Sequence, residues 1–280
     1  MKLHRVRVSP LPAWLDAARL LGDGPWQFTE HGAGLEARAE LDALASADLE
    51  ARLRGVTLAG KPVELDVFPR LGRPLVRQAR LNEARRQRDR SVGFSRTGVM
   101  LDDEMRIGLT PELLALSLGE RAKQSLAERS GEPLRVVDAC CGAGGNAIGF
   151  ARAGLHVIAI ELDARRLAAA RHNAKLYGVA DRIAFVHGDA RDLVAEHRAA
   201  LWFLDVPWLE RAAEGHLPLL AELIEKLGPS QALWAKVPAD FDPALVPSAR
   251  PTAWFGASPG DARRVKFLLL ERGELAASRS

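Results

Sequence analysis

The acidic residues that could do chemistry in this 280-residue chain recur where apolar runs end. Asp138 closes the run LRVVD, Glu161 follows VIAI, Asp189 follows IAFVHG, and Asp205 closes LWFLD. Continuous apolar runs are typical of parallel strands that are buried on both faces. Because parallel strands end at the same edge of a sheet, we expect the four carboxylates to surround one ligand there.

A glycine-rich segment, VVDACCGAGGNA, begins in the first of these strands and spans residues 136–147. Gly142, Gly144 and Gly145 allow a tight turn into a helix and a close approach of the backbone to a ligand. Such a turn fits a dinucleotide site, and it equally fits a strand–helix connection that binds nothing. The loop alone therefore does not decide the function.

The acids at the next two strand ends narrow the choice. Glu161 is placed to accept hydrogen bonds from both hydroxyls of a ribose, and Asp189 to accept from an adenine amino group, with Ala190 beside the ring. Asp163 is predicted to cap the following helix, which Gly178 closes. A nicotinamide site usually carries G-x-G-x-x-G, which GAGGNA does not match, and no hydride-transfer partner is evident. The pattern favours S-adenosylmethionine, although each acid on its own also fits a helix cap or a surface charge.

The fourth strand runs into Asp205-Val206-Pro207-Trp208, where amino-methyltransferases carry a D/N/S-P-P-aromatic tetrapeptide. An exocyclic base amine is a poor nucleophile because its lone pair is delocalised into the ring. Asp205 and the Val206 carbonyl can hold the two N–H groups so that the lone pair faces the methyl donor. Pro207 fixes the backbone, and Trp208 stacks on the base. The alternative interpretation makes Asp205 a helix cap and Trp208 a core residue.

Composition excludes several other classes of protein. Cys140 and Cys141 are adjacent, so they form neither an ordinary disulfide nor a complete zinc site; we expect a small apolar role, no metal, and a reducing, cytoplasmic setting. No run reaches the length of about 18 apolar residues that a membrane span needs, and MKLHRVRVSP lacks the apolar core of a signal peptide. A net charge of +3 and a pI of about 9.1 are too mild to indicate nucleic-acid binding by themselves.

Three regions are expected along the chain. Residues 1–70 should form a small α/β domain, with strands at RVRV, WQFTE and VELDVF, a helix from about Pro12, and a second helix capped by Ser46. Residues 71–93 should form an Arg-rich helical linker, and residues 94–280 a methyltransferase domain.

The predicted linker is strongly basic, because nine arginines lie from Arg70 to Arg96 against Glu83 and Asp89. Pro74 is placed to open a helix there. The apolar residues of this helix form no clear stripe at helical spacing. The helix is therefore either a solvated connection or a face that contacts the phosphates of RNA or DNA, and the sequence leaves both interpretations open.

Strands and helices alternate from Leu134 onward, and the last two strands, in TAWFGAS and RRVKFLLLER, flank a Pro-Gly turn that predicts an antiparallel hairpin. The expected fold class is α/β. It combines a mostly parallel, Rossmann-like sheet of the class I methyltransferase type, closed by a C-terminal antiparallel hairpin, with the small N-terminal α/β domain.

The chain resembles the RNA cap guanine-N2 methyltransferase (trimethylguanosine synthase) family over roughly residues 94–208. The shared segments are FSRTGVMLDDE and LTPELLA before the glycine-rich segment, GAGGN within it, and ARHNAKLYGVADRI after it. The resemblance implies an S-adenosylmethionine-dependent methyltransferase that acts on RNA. It also implies that Thr110 and Pro111 lie near the methionine end of the cofactor, and that Asn146 lies in the cofactor site.

Two segments depart from that family. Met105-Arg106-Ile107 stands where the family has an aromatic pair, and Leu209-Glu210 stands where the family has glycines after its tryptophan. These positions help to grip the cap nucleotide, so we expect an enzyme that methylates guanine N2, or another base amine, in RNA without a cap. The alternatives are a non-catalytic nucleic-acid-binding protein with a retained cofactor pocket, and a small-molecule or protein methyltransferase.

Overall fold

The computed structural model describes residues 3–88, 90–127, 135–206 and 213–273. Contacts divide the chain into two units. The first comprises Met1–Arg90, Pro238–Leu245 and Pro251–Leu268, and the second comprises Ser91–Val237, Val246–Arg250 and Leu269–Ser280. The predicted boundaries after residues 70 and 93 differ from this division, which groups the Arg-rich helix with the first unit, and they stay predictions.

The first unit contains a four-stranded sheet in the order β2-β3-β1-β6, whose neighbouring strands are all antiparallel. A separate two-stranded ribbon, β4 with β5, follows the second helix. The elements are β1 (Leu3–Pro12), α1 (Ala17–Leu21), β2 (Gln27–His31), β3 (Gly34–Asp42), α2 (Ala43–Leu53), β4 (Thr57–Leu58), β5 (Lys61–Pro62), β6 (Glu64–Phe68) and α3 (Arg73–Arg86).

Alternation along β1 explains how this sheet builds a core. Val6 and Val8 point to the buried face, whereas Arg5 and Arg7 are exposed. Leu49 of α2 belongs to the same buried cluster as the two valines, so the helix covers the apolar face of the sheet.

Two predictions for this unit are wrong. The chain continues as strand β1 through Pro12, and α1 begins only at Ala17, where the Asp16 carboxylate caps it. Ser46 is not a helix cap: α2 begins one turn earlier, where Asp42 accepts from the Ala45 N–H, and the buried Ser46 hydroxyl donates to the Asp42 carbonyl. A carboxylate one turn upstream gives the helix a cap and leaves Ser46 inside it.

The predicted helix opened by Pro74 is confirmed as α3, which has the proline in its first turn. Only Ala79 and Glu83 are buried on this helix. Arg86 and Arg264 both pair with the Glu83 carboxylate, which explains how an acid is accommodated in the buried stripe.

A seven-stranded sheet in the order β12-β13-β11-β10-β7-β8-β9 contains the parallel strands of the second unit, whereas most of β12 and the first half of β13 are assigned to the first unit. The five strands from β11 to β9 in this order run parallel to one another. The elements are α4 (Asp103–Arg106), α5 (Glu112–Ala127), β7 (Arg135–Ala139), α6 (Gly145–Arg152), β8 (His156–Glu161), α7 (Ala164–Leu176), β9 (Ile183–His187), α8 (Ala190–Leu193), β10 (Leu201–Leu204), α9 (Ala213–Leu227), β11 (Leu233–Val237), β12 (Arg250–Phe255) and β13 (Val265–Arg272).

This strand order confirms the predicted Rossmann-like fold of the class I methyltransferase type. Strand β7 lies between β10 and β8, so the order of strands along the chain reverses on either side of it. In sheets of this kind, ligands bind beyond the carboxyl ends of the strands at such a switch point. No helix among the described residues is both long and apolar enough to cross a membrane.

Helix α6, which starts at the switch point, is held close to α5 by two glycines. A Cβ on Gly149 would lie 2.3 Å from the Ala115 carbonyl oxygen, and one on Gly119 would lie 2.5 Å from the Gly149 carbonyl oxygen. Both spacings are far below ordinary contact distances, so only glycine permits the two helix backbones to approach this closely.

The segment before α4 is fixed on α7 by the buried amide of Asn173. The Asn173 Nδ2 donates to the Met100 carbonyl at 3.0 Å and to the Ala143 carbonyl at 3.0 Å, and its Oδ1 accepts from the Met100 N–H at 2.7 Å. His172 Nε2 lies 2.8 Å from the Gly98 carbonyl oxygen. Two of the segments that carry the family resemblance, FSRTGVMLDDE and ARHNAKLYG, therefore contact each other.

Glu112 is a second anchor of this segment. Its carboxylate accepts from the Tyr177 hydroxyl at 2.6 Å, from the Ser95 N–H at 2.7 Å and from the Arg152 guanidinium at 2.7 Å. Burial opposes ionisation of this carboxyl, but the hydrogen bonds from Tyr177, Ser95 and Arg152 outweigh it and lower the pKa of Glu112 from 4.5 to about 2.

The variant Glu112→Gln should lower the free energy of unfolding at pH 7 by about 1–2 kcal/mol, since the glutamine cannot provide the charge that these donors stabilise. A folded-state pKa below the unfolded one stabilises the protein above pH 4.5, and this contribution is lost as the pH falls toward 2. Denaturant titrations of both proteins across that range should show the difference shrinking. A difference that does not change with pH would contradict the assignment.

Candidate active site

A cleft of about 740 Å³ opens at the carboxyl edge of the second unit's sheet, within the size range of small-molecule sites. The ends of β7, β8, β9, β10 and β11 and the segment from Glu104 to Thr110 line it. The predicted site residues that line this cleft are Thr110, Gly142, Asn146, Glu161, Asp189, Ala190, Asp205 and Val206. The structure thus brings eight predicted residues together around one space.

Three predicted cofactor residues do not line the cleft. Asp138 is completely buried in β7, and neither of its carboxylate oxygens has a hydrogen-bond partner among the described residues. Gly144 has a φ of +90° at the start of α6, and a Cβ there would lie 3.1 Å from Cβ of Ala170, so this glycine serves the backbone and packing. Pro111 precedes α5, and its carbonyl accepts from the Ala115 N–H.

Burial raises the pKa of Asp138 well above its usual range, and the neighbouring carboxylate of Asp205 adds to the effect. Burial therefore favours the protonated form of Asp138, whereas the sequence suggested a ligand at a strand tip. It lies one residue before the end of β7, paired in register with Phe203 and Ala159.

Glu161 organises the glycine-rich segment. One carboxylate oxygen accepts from the Gly142 N–H at 2.8 Å, and the other accepts from the Asp163 N–H at 2.9 Å. An ionised carboxylate offers about four lone-pair positions, so each oxygen can still accept from a ligand hydroxyl in the cleft. The geometry is compatible with the predicted contact to ribose hydroxyls, which stays a prediction.

The backbone at Gly142 leaves room for a ligand. Its φ is +55°, and a Cβ built there would meet nothing within 4 Å. The Asn146 Oδ1 nearby is buried without a hydrogen-bond partner among the described residues. An open cradle, a buried acceptor and the N-terminus of α6 fit a cofactor with hydroxyl and ammonium donors and a carboxylate, which are the groups of S-adenosylmethionine.

Asp189 is a helix cap as well as a cleft residue. Its carboxylate accepts from the Arg191 N–H at 2.9 Å and from the Arg191 guanidinium at 2.6 Å, and the bonds to this arginine lower the pKa of Asp189. Arg191 contacts both carboxylate oxygens. The cap that the sequence left open as an alternative is thus present, and acceptance from an adenine amine stays a prediction. Asp163 caps α7 as predicted.

The two cysteines are free thiols, in agreement with the sequence. Cys140 lines the cleft, and burial, together with the charge of Glu161, raises the pKa of its thiol to about 12. It is therefore protonated at neutral pH and is a poor nucleophile. The described residues hold no group of three or more His, Cys, Asp and Glu side chains that could bind a metal ion.

Asp205 follows β10, and three different side chains of the cleft contact its carboxylate. Its Oδ2 accepts from Asn146 Nδ2 at 2.8 Å, from Lys236 Nζ at 2.9 Å and from Thr110 Oγ1 at 3.5 Å, and its Oδ1 lies 3.1 Å from Lys236 Nζ. Val206 is buried and lines the cleft beside it. Pro207 and Trp208, the other two predicted catalytic residues, lie outside the described residues.

Sequence reasoning missed Lys236, which pairs with Asp205 inside the cleft. The signal that could have revealed it is its position. It is the one charged residue of the strand LWAKV, whose five positions are all buried, and this strand ends at the same edge as the predicted acids. Such a lysine requires a partner, because an ammonium is almost never buried unpaired.

The fold and the site together define the class of this unit. A parallel sheet with this strand order, an acid at the end of its second strand and a cleft at its switch point identify a class I, S-adenosylmethionine-dependent methyltransferase domain, with S-adenosylmethionine as its cofactor. The family model described as RNA cap guanine-N2 methyltransferase matches residues 134–209, roughly a quarter of the chain.

Three curated relatives agree with this class. Trimethylguanosine synthase from Schizosaccharomyces pombe is 33% identical over 123 residues, which cover 41% of this chain and 49% of that protein. The same enzyme from Saccharomyces cerevisiae is 30% identical over 100 residues, covering 36% and 30%. Release factor glutamine methyltransferase from Nitratidesulfovibrio vulgaris is 41% identical over 96 residues, covering 33% and 32%.

These matches confirm the predicted resemblance over part of the chain. The chain spans about half the length of the S. pombe relative and about a third of the other two. What the relatives act on is therefore a property of those proteins, and the substrate of this chain is considered separately below.

The variant Glu161→Ala should weaken S-adenosylmethionine binding by about 10–100-fold, because a charged acceptor of hydrogen bonds is removed from the cleft. Isothermal titration calorimetry measures this directly. Asp181→Ala, an exposed acid on the same unit, is the matched control and should bind like the wild type. Unchanged affinity of the Glu161 variant would show that this residue does not contribute to cofactor binding.

Proposed function

We propose that this protein transfers a methyl group from S-adenosylmethionine to an exocyclic amine of a base in RNA, with guanine N2 as the preferred acceptor. The observation that carries the proposal is the carboxylate of Asp205. It sits in the cofactor cleft, immediately after β10, where amino-methyltransferases place the acceptor residue of their D/N/S-P-P-aromatic motif.

Asp205 and Val206 are proposed to orient the amine. Among the described side chains, Lys236 contacts the Asp205 Oδ1, and this oxygen keeps a lone pair for a substrate N–H. The Val206 carbonyl accepts the second N–H. With both hydrogens held, the nitrogen lone pair is directed away from the base plane and into the cleft, which lowers the entropic cost of reaching the reactive geometry.

Bound S-adenosylmethionine supplies an electrophilic methyl group. The amine nitrogen would form the new bond to the methyl carbon as the sulfur–methyl bond breaks and S-adenosylhomocysteine is released, and it would then lose one of its two hydrogens as a proton. The anionic Asp205 carboxylate stabilises the positive charge that develops on this nitrogen and is placed to receive the proton. Glu161, Asn146 and the backbone around Gly142 are the residues that would hold the cofactor.

The choice of a guanine in RNA is supported by the family model, which matches residues 134–209, and by the similarity to two trimethylguanosine synthases. Met105 and Ile107 line the mouth of the cleft, where the resembling family has an aromatic pair. Aliphatic side chains stack less specifically on a positively charged cap base than aromatic rings do. This difference supports an acceptor in RNA without a cap.

A second candidate is methylation of an amide nitrogen in a protein. The 41% identity to release factor glutamine methyltransferase over 96 residues favours it. A glutamine amide also presents two N–H groups on a nitrogen with a delocalised lone pair, so the same pair of acceptors could orient it. The two candidates differ in what receives the methyl group, and labelled cofactor distinguishes them.

The variant Asp205→Asn should lower the rate of methyl transfer by about 10²–10³-fold, because the neutral amide neither stabilises the developing charge nor receives the proton. Its S-adenosylmethionine affinity should stay within about threefold of wild type. The assay follows tritiated methyl from the cofactor into total RNA and, separately, into total protein. Transfer into RNA at the wild-type rate would refute the role of Asp205, and label found only in protein would favour the second candidate.

The arginines of α3 support the RNA part of the proposal. Arg80 pairs with Glu50, and Arg86 pairs with Asp48. Arg73 and Arg77 are exposed, one turn apart on the same face, and form no ion pair with any described residue. Two exposed arginines on one helix face, without an ion-pair partner among the described residues, are available to contact the phosphate backbone of RNA. A solvated connecting helix would not need such a pair.

The double variant Arg73→Gln/Arg77→Gln should weaken RNA binding and reduce the slope of log affinity against log salt by about 1–2, since two phosphate contacts are lost. Filter binding or fluorescence anisotropy at several salt concentrations gives this slope. Arg80→Gln is the matched control on the same helix, and its smaller effect should reflect the existing pair with Glu50. An unchanged slope in the double variant would show that Arg73 and Arg77 do not contact RNA phosphates and that α3 is a solvated connecting helix.

A further inference from the structure

Lys236 occupies an unusual position for a lysine. It lies in β11 between Ala235 and Val237, which are completely buried, and only 10% of its own side chain is exposed. The strand belongs to the parallel part of the sheet, next to β10. The ammonium group therefore lies at the carboxyl edge of the sheet in a largely dry environment, beside the proposed acceptor.

The ammonium group bridges two parts of the cleft. Lys236 Nζ lies 2.9 and 3.1 Å from the two carboxylate oxygens of Asp205, and it donates to the Gly108 carbonyl at 2.8 Å. Gly108 belongs to the segment that enters the cleft from α4. Lys236 thus joins the end of β10, the end of β11 and residues 104–110, which we call the cover segment.

The charges around Asp205 show why this bridge matters. Asp138 of β7 is buried next to Asp205, and Glu161 of β8 lines the same cleft. Two carboxyls in a dry region are not both ionised without a counter-charge. Lys236 contacts both carboxylate oxygens of Asp205, so its positive charge lies against the carboxylate that is proposed to accept the amine. Asn146 of α6 and Thr110 before α5 add neutral donors to the same carboxylate.

We propose that Lys236 is a positioning residue for methyl transfer: its ammonium holds the Asp205 carboxylate in one orientation and couples it to the cover segment through the Gly108 carbonyl. This inference rests on the proposed function, because it assigns a purpose to the Asp205 carboxylate as the amine acceptor.

Stability alone does not account for this pair. A nearly buried ion pair gains little over two well-packed apolar side chains, because both ions must be desolvated. The remaining four positions of β11 are all occupied by apolar residues. A lysine at this one position, with its charge directed at the acceptor carboxylate, is explained by the chemistry of the site.

The variant Lys236→Met keeps the length and the apolar stem of the side chain but removes the ammonium. We expect kcat for methyl transfer to fall by about 10²-fold, because the acceptor carboxylate loses the contact that orients it, while the Kd for S-adenosylmethionine changes less than about threefold. Lys175→Met, an exposed lysine at the end of α7, is the control and should behave like wild type. Wild-type or higher kcat in Lys236→Met would overturn the proposal.

Chemical rescue separates positioning from folding. Lys236→Ala leaves a space that ethylammonium can enter, and this ion should restore part of kcat, whereas tetramethylammonium, which has no N–H, should not. If Lys236→Ala does not fold, Lys236→Met provides the comparison. Equal effects of the two ions, or no rescue in a folded Lys236→Ala, would contradict a role through hydrogen bonds to Asp205.

A measurement without substrate tests the geometry itself. Acetylation of the seven lysines with an activated ester, followed by peptide mass spectrometry, should find Lys236 at least tenfold less reactive than Lys175 in the wild type. In Asp205→Ala the reactivity of Lys236 should rise, while that of Lys175 stays constant. A reactive Lys236 in the wild-type protein would overturn the proposed bridge.

The outcomes also separate this inference from the proposed function. Transfer into RNA that is lost in Asp205→Asn but unaffected in Lys236→Met would refute only the positioning role. Transfer that survives in Asp205→Asn would refute the acceptor assignment on which both depend.

Discussion

Electrostatic repulsion between acids at one edge of the sheet is the constraint that shapes this site. Parallel strands all end at the same edge of a sheet, and four of these strands carry an acidic side chain at that edge or just beneath it. Each carboxyl is accommodated differently. Asp205 pairs with Lys236, Glu161 accepts two backbone N–H groups, Asp189 pairs with Arg191, and burial raises the pKa of Asp138 in the interior.

These different solutions give the acids different chemistry. Carboxylates held by backbone N–H groups are fixed acceptors that suit the binding of hydroxyl groups. The Asp205 carboxylate, held by a cation and two neutral donors, is an anionic acceptor next to the proposed reaction centre. A single sheet edge thus provides both cofactor acceptors and a substrate acceptor.

The cover of the cleft depends on contacts far along the chain. Asn173 of α7 fixes the backbone of Met100 by hydrogen bonds. The Glu112 carboxylate accepts hydrogen bonds from Tyr177, Ser95 and Arg152. Residues 104–110 then lie along the cleft, where Lys236 holds the Gly108 carbonyl. The segment before the glycine loop and the helix after it therefore act as one structure, although roughly 70 residues of sequence separate their contacts.

Much of the second unit's sheet was predictable because its signals are local. The apolar runs of β7 to β11 and the cap at Asp163 are visible in a few consecutive residues. Asp138 and Lys236 were misjudged or missed for the opposite reason, since their burial and partners depend on which strands become neighbours. In the first unit, Asp42 displaced the predicted cap Ser46, because both positions offer an oxygen and only the packing of α2 on the sheet decides between them. Strand β3 was not predicted, since its charged residues weaken the apolar pattern.

Mass spectrometry of modified nucleosides tests the central claim most directly. RNA is compared from cells with the intact gene, cells without it, and cells that carry only the Asp205→Asn form. The account predicts a guanosine methylated on N2 that is present with the intact gene and lost in both other strains. Identical nucleoside profiles in all three, with methyl label recovered in protein or in a small molecule, would contradict it.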